Sequence, residues 1–301
     1  MKKLRFLISL PTSKNDFQLA QAFSAEQIAQ KRAVDLEIVY ADNDAVEQST
    51  QILRAIQVPV GTRPDAIVIE PASGTALPQV ARAACAVGIG WAVLNRAPDY
   101  ISELRRTSTA PVFSISSDHV EIGRIQGRQF AALLPSGGSV LYIEGPSHSS
   151  SAKNRTLGML ETKPSNLQVA TLKGQWTEES AWKAVRSWLQ LTTSRRAALD
   201  LVGAQDDSMA MGARKAFQET ADEEHRRWSS LLFTGCDGLP TTGQAWVRKG
   251  LLAATICIPP IAGQAIESLI EAIQNGTKPP EYSATVSFSI PPLDALSARK
   301  S

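Results

Sequence analysis

The residues of this sequence that could do chemistry are polar or charged groups and aromatic rings that follow short apolar runs. They are Asn15, Phe17, Gln18, Glu70, Asn95, Arg96, Lys153, Arg155, Trp176, Asp206 and Asp237. Carboxylate, amide and guanidinium groups form paired hydrogen bonds, and aromatic rings pack against apolar surfaces. Helix N-caps would account for Asp206, because aspartate is a favoured cap. They would not account for Asn95, Arg96 and Trp176, so the set favours a ligand site.

The sequence lacks the common catalytic motifs: G-x-S-x-G, Walker A, H-E-x-x-H and G-x-G-x-x-G do not occur. His148 lies between serines and Cys236 precedes Asp237, but no residue that would activate either can be named. The 3 cysteines are isolated in sequence, which argues against a disulfide framework or a zinc site. We therefore expect a protein that is not an enzyme and that needs no cofactor or metal ion.

Short apolar runs that alternate with helical patterns predict the elements that position these side chains. The strand candidates are residues 4–10, 35–40, 66–69, 91–94, 139–143, 168–172, 199–203, 231–234 and 253–257. Several are apolar throughout, as expected for strands covered on both faces. Repeated β-α-β units require parallel sheets with right-handed crossovers. The predicted fold class is therefore α/β, and we expect two sheets because one core of this size would be large.

Amphipathic periodicity predicts the helices between these strands. The clearest helix spans residues 262–273, and Asn275-Gly276 ends it. A second helix follows Thr177, which we expect to act as its N-cap. Residues 102–111 and 220–229 are polar and charged, and they are predicted to be surface loops.

Charge and composition limit the partners. Lys and Arg number 31 and Asp and Glu number 29, so the formal charge is +2 and no dense basic block suggests a nucleic-acid partner. No apolar run approaches the roughly 18 residues of a membrane span, so membrane insertion is not expected. Residues 1–5 resemble the start of a secretory signal, but the apolar run after them ends at Pro11. We interpret this run as the first strand and expect no export signal in the chain as written.

The motifs after the predicted strands, taken in order, resemble those of one family. They are Asn15-Asp16-Phe17, Pro64 to Pro71 (PDAIVIEP), Val93-Leu94-Asn95-Arg96, Ser117-Asp118, Arg155 to Met159 (RTLGM), Ala204 to Ala210 (AQDDSMA), Thr234 to Gly238 (TGCDG) and Leu252 to Ile256 (LAATI). Over residues 4 to 290 the sequence resembles the ribose-binding-protein type of periplasmic sugar-binding proteins. It also resembles the related effector domain of lac-repressor-type regulators.

This resemblance implies a type I periplasmic-binding-protein fold, in which two Rossmann-like lobes close on a ligand. The N-terminal lobe would comprise residues 1–117 and 259–287, and the C-terminal lobe residues 118–258 and 288–301. Three crossovers would form the hinge, near Ser117-Asp118, residues 257–260 and residues 287–291. The expected function is non-catalytic binding of a small sugar or polyol in the cleft between the lobes.

The resemblance also implies roles for individual side chains. Asp206 and Asp237 would accept hydroxyl hydrogen bonds, Asn95 and Arg96 would supply an acceptor and donors, and Phe17 and Trp176 would stack on the sugar ring. Alternatives remain: Phe17 as core, Trp176 as strand-end packing, Lys153 as a solvated helix charge, and Arg155 as a group that orients a carboxylate. The motif TGCDG predicts that Gly235 and Gly238 let the backbone at Asp237 turn tightly.

Three positions depart from the family pattern. Gln18 stands where a second aromatic is common, Glu70 where an amide is common, and Ile258 where a glutamine often contacts the ligand. A pentose site copied from the family is therefore not expected. The resemblance implies delivery of ligand to an ABC permease or to a sensor protein, with a periplasmic location. The alternative is a cytoplasmic ligand-sensing regulatory domain, which the expected lack of an export signal favours.

Overall fold

A computed structural model of the chain describes residues 3–72, 74, 76–196, 198–219, 228 and 230–296. The chain divides into two compact units. Unit 1 is Met1–Ser117 with Pro260–Thr285, and unit 2 is Asp118–Pro259 with Val286–Ser301. The chain therefore passes from one unit to the other three times, and unit 1 is assembled from two separate segments.

The described residues of unit 1 form a sheet of six strands flanked by five α-helices, numbered in chain order. Its strands are β1 Arg5–Leu10, β2 Asp35–Tyr40, β3 Ala66–Ile69, β4 Gly90–Leu94, β5 Val112–Ser117 and β11 Tyr282–Thr285. Its helices are α1 Asp16–Lys31, α2 Ala45–Gln57, α3 Pro78–Ala86, α4 Tyr100–Thr107 and α11 Ala262–Asn275. A short 3-10 helix, Val60–Thr62, precedes β3.

The sheet of unit 1 is parallel throughout, in the order β2-β1-β3-β4-β5-β11. An apolar cluster covers each face, one of them built with α1 and α11 and the other with α2, α3 and α4. Such two-sided burial explains why β3 and β4 are apolar at every position. Because β1 lies between β2 and β3, the loops after β1 and β3 leave the sheet where the strand order reverses, and ligands bind at such points.

Unit 2 contains a second sheet and a small additional pair of strands. Its strands are β6 Gly138–Glu144, β7 Leu167–Lys173, β8 Leu201–Ala204, β9 Leu232–Thr234, β10 Thr255–Cys257 and β12 Phe288–Ile290. Its helices are α5 His119–Leu133, α6 Ser150–Thr162, α7 Glu178–Leu189, α8 Thr192–Arg196, α9 Asp207–Glu219 and α10 Gly243–Arg248.

The main sheet of unit 2 is parallel, in the order β7-β6-β8-β9, and so repeats the order of the first four strands of unit 1. Strands β10 and β12 pair antiparallel, and isolated parallel bridges join Thr234 to Ala254 and Asp237 to Cys257. These bridges fix the segment that follows β9 against β10. The apolar core again lies on both faces of the sheet.

Helices α5 and α6 pack with their backbones in close approach. A Cβ atom built on Gly158 of α6 would lie 1.9 Å from the carbonyl oxygen of Val120, and one on Gly123 of α5 would lie 2.0 Å from that of Arg155. Real Cβ atoms do not approach backbone atoms so closely, so this helix pair requires glycine at both positions. The contact fixes α6, which carries Arg155.

The structure confirms the nine predicted strands to within two residues at each end. The largest differences are at the starts of β8 at Leu201 and β10 at Thr255, each two residues later than predicted. It also confirms the helix that Gly276 terminates with φ 66° and the helix that Thr177 caps through its side chain. The loop prediction for residues 102–111 is wrong for its first six residues, because α4 continues to Thr107, and only residues 108–111 connect α4 to β5. Except for Trp228, the loop predicted at 220–229 lies outside the described residues.

Strands β5, β11 and β12 are additions to the predicted set. None of the helices in the described part of the chain is long and apolar enough to cross a membrane.

Candidate functional site

The predicted site residues of unit 1 lie at the carboxyl ends of its central strands. Asn15, Phe17 and Gln18 follow β1, Glu70 follows β3 directly, and Asn95 and Arg96 follow β4 directly. The structure brings Gln18, Glu70 and Asn95 together in one hydrogen-bonded group, which also includes Gln21 and adjoins Arg96. These five residues are called the unit 1 cluster below.

The Glu70 carboxyl group is the centre of the unit 1 cluster. It is buried, and its Oε1 accepts a hydrogen bond from Gln18 Nε2 at 2.9 Å while its Oε2 accepts one from Gln21 Nε2 at 3.3 Å. The Asn95 side chain also hydrogen-bonds to this carboxyl. Burial raises the pKa of Glu70, and the three amide side chains and the charge of Arg96 act in the opposite direction.

Two amide oxygens of the unit 1 cluster are buried without a hydrogen-bond partner among the described residues: Oε1 of Gln18 and Oδ1 of Asn95. An unsatisfied buried acceptor costs about 1–3 kcal/mol, so native proteins rarely keep one without a reason. Both oxygens belong to amides whose nitrogen ends are engaged by Glu70. They are therefore the atoms of unit 1 best suited to accept hydrogen bonds from a ligand.

Gln21 of this cluster and the nearby buried Gln48 differ from Gln18 and Asn95, because the protein itself satisfies both ends of their amides. The Oε1 atom of Gln21 accepts from the backbone amides of Ile261 at 2.8 Å and Ala262 at 2.9 Å, at the start of α11. Gln48 Nε2 donates to the Glu70 carbonyl oxygen at 2.9 Å, and its Oε1 accepts from the Ala72 amide at 2.9 Å. Both ends of each amide are satisfied within the protein. Sequence reasoning missed these residues, since a glutamine inside a helix gives no local signal.

Asn15 has a structural role as the N-cap of α1. The Asn15 Oδ1 atom caps α1 by accepting from the backbone amides of Phe17 at 2.9 Å and Gln18 at 3.2 Å. Phe17 is buried, although neither apolar cluster formed by the described residues of unit 1 includes it. Asn15 thus fixes the first turn of α1 and, with it, the position of Gln18.

Asn95 adopts the left-handed backbone conformation with φ 56°, which asparagine tolerates better than most residues. Its backbone amide donates to the Ile115 carbonyl on β5 at 2.9 Å, and its own carbonyl accepts from Arg96 Nη1 at 2.7 Å. These bonds hold the chain reversal after β4, so that Asn95 faces Glu70 and Arg96 lies half-buried beside them.

In unit 2, Arg155 and Trp176 lie in contact with each other. Arg155 on α6 is buried, its Nη1 donates to the carbonyl oxygen of Gln205, and its guanidinium lies 5.5 Å from the centre of the Trp176 ring. Gln205 itself is fully buried, and its side chain bonds to Tyr142, Ala152, Thr156 and the Gly145 amide. Arg155 therefore rests on a rigid buried network.

Trp176 follows β7 and is half-buried against the core of unit 2, with φ 60°. A Cβ atom on Gly145 would lie 2.2 Å from Cζ2 of its ring. The ring therefore lies on the backbone that follows β6, between Gly145 and Arg155. Partial exposure at a strand end is compatible with both the stacking role and the packing role predicted for Trp176.

The two adjacent aspartates after β8 have different surroundings. Asp206 is buried and its Oδ1 accepts from the Met209 amide, as at a helix N-terminus. Asp207 accepts from Thr255 Oγ1 at 2.6 Å and from the Gly238 amide at 2.8 Å. Burial raises the pKa of Asp207 to about 8. Asp207, which was not predicted as a site residue, joins α9 to β10.

Asp237 is half-buried at the carboxyl end of β9 with φ 103°, an unusual angle for a residue with a side chain. Its amide donates to the Ile256 carbonyl at 3.0 Å, and its carbonyl accepts from Ile258 at 2.9 Å. The expectation that Gly235 supplies conformational freedom is wrong. Gly238 has φ 56°, whereas Gly235 is required because a Cβ there would lie 2.2 Å from Oδ1 of Asp207.

Lys153 is exposed on α6, and its side chain makes no hydrogen bond or ion pair with the other predicted residues in the described part of unit 2. Sequence reasoning missed Glu144, which ends β6, is buried, and pairs with Lys173 Nζ while accepting from Thr156 Oγ1 at 2.9 Å. Cys236 is fully buried, and burial raises the pKa of its thiol. This environment suits packing and not nucleophilic attack.

Comparison with known sequences places this chain among binding proteins. Residues 6–278 match the family model described as a periplasmic binding protein domain. The ribose import binding protein of Bacillus subtilis is 25% identical over 278 residues, which cover 92% of this chain and 84% of that protein.

Solved structures share the fold. A periplasmic solute binding protein of an ABC transporter from Actinobacillus succinogenes, with bound D-allose, has a TM-score of 0.81 at 19% identity and covers 95% of this chain and 97% of its own. The Caulobacter myo-inositol binding protein, bound to myo-inositol, has a TM-score of 0.78 at 19% identity, covering 95% and 92%. This likeness confirms the predicted fold class, two lobes with parallel sheets.

Proposed function

Because this chain belongs to the periplasmic binding protein domain family, we propose that it binds a small sugar or polyol non-covalently and leaves it chemically unchanged. Members of the family are binding proteins and not enzymes. One observation carries the proposal: in the unit 1 cluster, two buried amide oxygens at the carboxyl ends of parallel strands have no partner among the described residues. Hydroxyl groups are suitable donors for them.

The chemistry of the predicted residues of both units supports this ligand class. Arg96 and Arg155 carry several N–H donors, Asp206 and Asp237 carry acceptors, and the Trp176 ring offers an apolar face. Gln18 in place of an aromatic and Ile258 in place of an amide make the site differ from a pentose site copied from relatives.

The proposed role is delivery of the ligand to an ABC permease in the periplasm. The relative from Bacillus subtilis is named an import binding protein, which supports transport over the alternative of cytoplasmic sensing. Neither role requires a cofactor, a nucleic acid or insertion into a membrane.

A thermal-shift screen followed by calorimetry tests the ligand class. The probes are D-ribose, D-allose, myo-inositol, D-glucosamine and D-glucuronate, with L-glutamate as a non-sugar. A ligand that binds only the folded state adds about 2.7 kcal/mol of stability at 100 times its Kd. We expect a sugar or polyol to raise the melting temperature and to be recovered unchanged by NMR. Stabilisation by L-glutamate alone, or conversion of a bound sugar to a product, would contradict the proposal.

Replacing Trp176 by alanine is expected to weaken binding of the stabilising sugar without unfolding the protein. The expected loss is about 1 kcal/mol, from apolar contact between the ring and the sugar. Calorimetry measures it, and Trp176→Phe should retain most of the affinity.

Trp182→Ala is the matched control for this experiment. Trp182 also packs against the core of unit 2, but it lies on α7 and its Nε1 donates to Glu219 at 2.7 Å. Its replacement should lower the melting temperature and leave the affinity unchanged. If Trp176→Ala behaves in the same way, Trp176 is a packing residue and not a ligand contact.

A further inference from the structure

We propose that Glu70 is a positioning residue that fixes the orientation of the Gln18 and Asn95 amides, so that their oxygens accept hydrogen bonds from the ligand. This inference rests on the proposed function, in which the ligand contacts the unit 1 cluster. It assigns to Glu70 a role in selecting ligand groups that donate hydrogen bonds.

The first step of the argument is the chemistry of the Glu70 carboxyl. Both oxygens of this carboxyl accept hydrogen bonds from amide nitrogens, Oε1 from Gln18 and Oε2 from Gln21, so the amides that contact it present their nitrogen ends. Gln18 Nε2 lies 2.9 Å from Oε1 of Glu70, and the Asn95 side chain bonds to the same carboxyl. The nitrogen end of both amides is therefore engaged, and the oxygen ends are left as the free acceptors.

The second step is the contrast with the structural glutamines of unit 1. Gln21 also donates to Glu70, but its oxygen accepts from two backbone amides at the start of α11. Gln48 bonds to the backbone at both ends. Of these four amides, Gln18 and Asn95 differ from Gln21 and Gln48, because no donor in the described part of the chain bonds to their oxygens. A function for these oxygens must come from a bound partner.

The third step is the difference between a carboxylate and an amide at position 70. A carboxamide there could donate as well as accept, so Gln18 and Asn95 could each turn either end toward a ligand. Glu70 removes this ambiguity. The Gln18 and Asn95 oxygens then bind groups that donate, either a hydroxyl of a neutral polyol or the ammonium of an amino sugar. A ligand carboxylate at the same place would meet acceptor oxygens.

Side-chain amide NMR of the ligand-free protein tests the orientation directly. In the full chain labelled with ¹⁵N, the Gln18 and Asn95 NH₂ signals should exchange slowly with solvent, and Glu70→Gln should accelerate or shift both. Glu70→Asp, which keeps the carboxylate, should restore part of the protection. Rapid exchange of both NH₂ groups in the wild-type protein, or no change in Glu70→Gln, would overturn the proposal.

Calorimetry tests the selectivity with myo-inositol, D-glucosamine and D-glucuronate as probes. The wild-type protein should prefer the two donor-bearing probes over glucuronate, and Glu70→Gln should reduce that preference about tenfold. The relative affinities of myo-inositol and D-glucosamine distinguish a hydroxyl donor from an ammonium donor at the Gln18 and Asn95 oxygens. Gln48→Met is the control, since it should lower the melting temperature and leave the preference unchanged. Tighter binding of glucuronate than of the other probes by the wild-type protein would overturn the proposal.

The two experiments separate the inference from the proposed function. Slow exchange that depends on Glu70, without binding of any sugar or polyol, would contradict the proposed function and support the positioning role. Binding of a polyol with rapidly exchanging amides would support the function and contradict the positioning role.

Discussion

Replacing Asp237 by alanine is expected to abolish measurable binding of the stabilising sugar while the protein stays folded. Backbone hydrogen bonds to Ile256 and from Ile258 hold this residue on both sides, so its side chain has a fixed direction. A carboxylate accepts two hydroxyl hydrogen bonds, and bonds to charged groups are worth roughly 1.5–3 kcal/mol each. Their loss corresponds to a fall in affinity of about 100-fold or more. Calorimetry measures it, and Asp237→Asn should lose about tenfold.

The backbone angle of Asp237 supplies a sharper control than the alanine variant alone. At φ 103° a glycine is favoured, so Asp237→Gly should be at least as stable as the wild type while it binds no sugar. Asp99→Ala, at an exposed position, controls for the change in net charge and should bind normally. If Asp237→Ala binds the sugar with wild-type affinity, Asp237 is not part of the binding site. A lower melting temperature in Asp237→Gly would show that the side chain serves stability.

Replacing Gly158 by alanine is expected to destabilise unit 2 through the contact between α5 and α6. Alanine improves helix propensity by about 1 kcal/mol relative to glycine. Against this, its Cβ would lie 1.9 Å from the Val120 carbonyl, and neither backbone can move without separating the helices. Overpacking in a core costs typically about 1–3 kcal/mol. Because the new Cβ would contact backbone atoms and not a flexible side chain, we expect a cost at or above the upper end of this range. We expect a net loss of about 2 kcal/mol in the free energy of unfolding, measured by denaturant titration.

Gly61→Ala is the matched control for the Gly158 variant. A Cβ on Gly61 would meet no atom within 4 Å, so the change should lie within about 0.5 kcal/mol of zero. A Gly158→Ala protein as stable as the wild type would mean that the two helices separate at little cost. The close approach would then have no part in holding α6 and Arg155.

The apolar strands were predictable from the sequence because two-sided burial leaves a continuous apolar run. Strand β5 was not, since its serines Ser114, Ser116 and Ser117 are buried but read as polar. Helix α4 was not predicted from the sequence, for a related reason. Its charged residues dominate the sequence, although Tyr100, Ile101 and Leu104 bury one face.

The positions of the candidate residues relative to the strands were predictable: Glu70 and Asn95 follow β3 and β4 directly, and Asp237 lies three residues after the end of β9. The roles within the site were not predictable, because they depend on contacts between distant segments. Gln21 and Gln205 look like ordinary polar residues, and only the tertiary structure places donors and acceptors around them. The separate surroundings of Asp206 and Asp207 likewise arise from β10 and the Gly238 turn.

The two-segment construction of unit 1 also determines when this unit can be completed during synthesis. Ser114 on β5 bonds to Glu281, 167 residues later in the chain. At about 5–20 residues per second, a ribosome needs roughly ten to thirty seconds to make that interval. Until α11 has been made, the sheet face that carries Phe6, Ile8 and Val68 is covered by α1 alone. Most of unit 2 is one contiguous segment, whereas the sheet of unit 1 can be completed only after that segment has been synthesised.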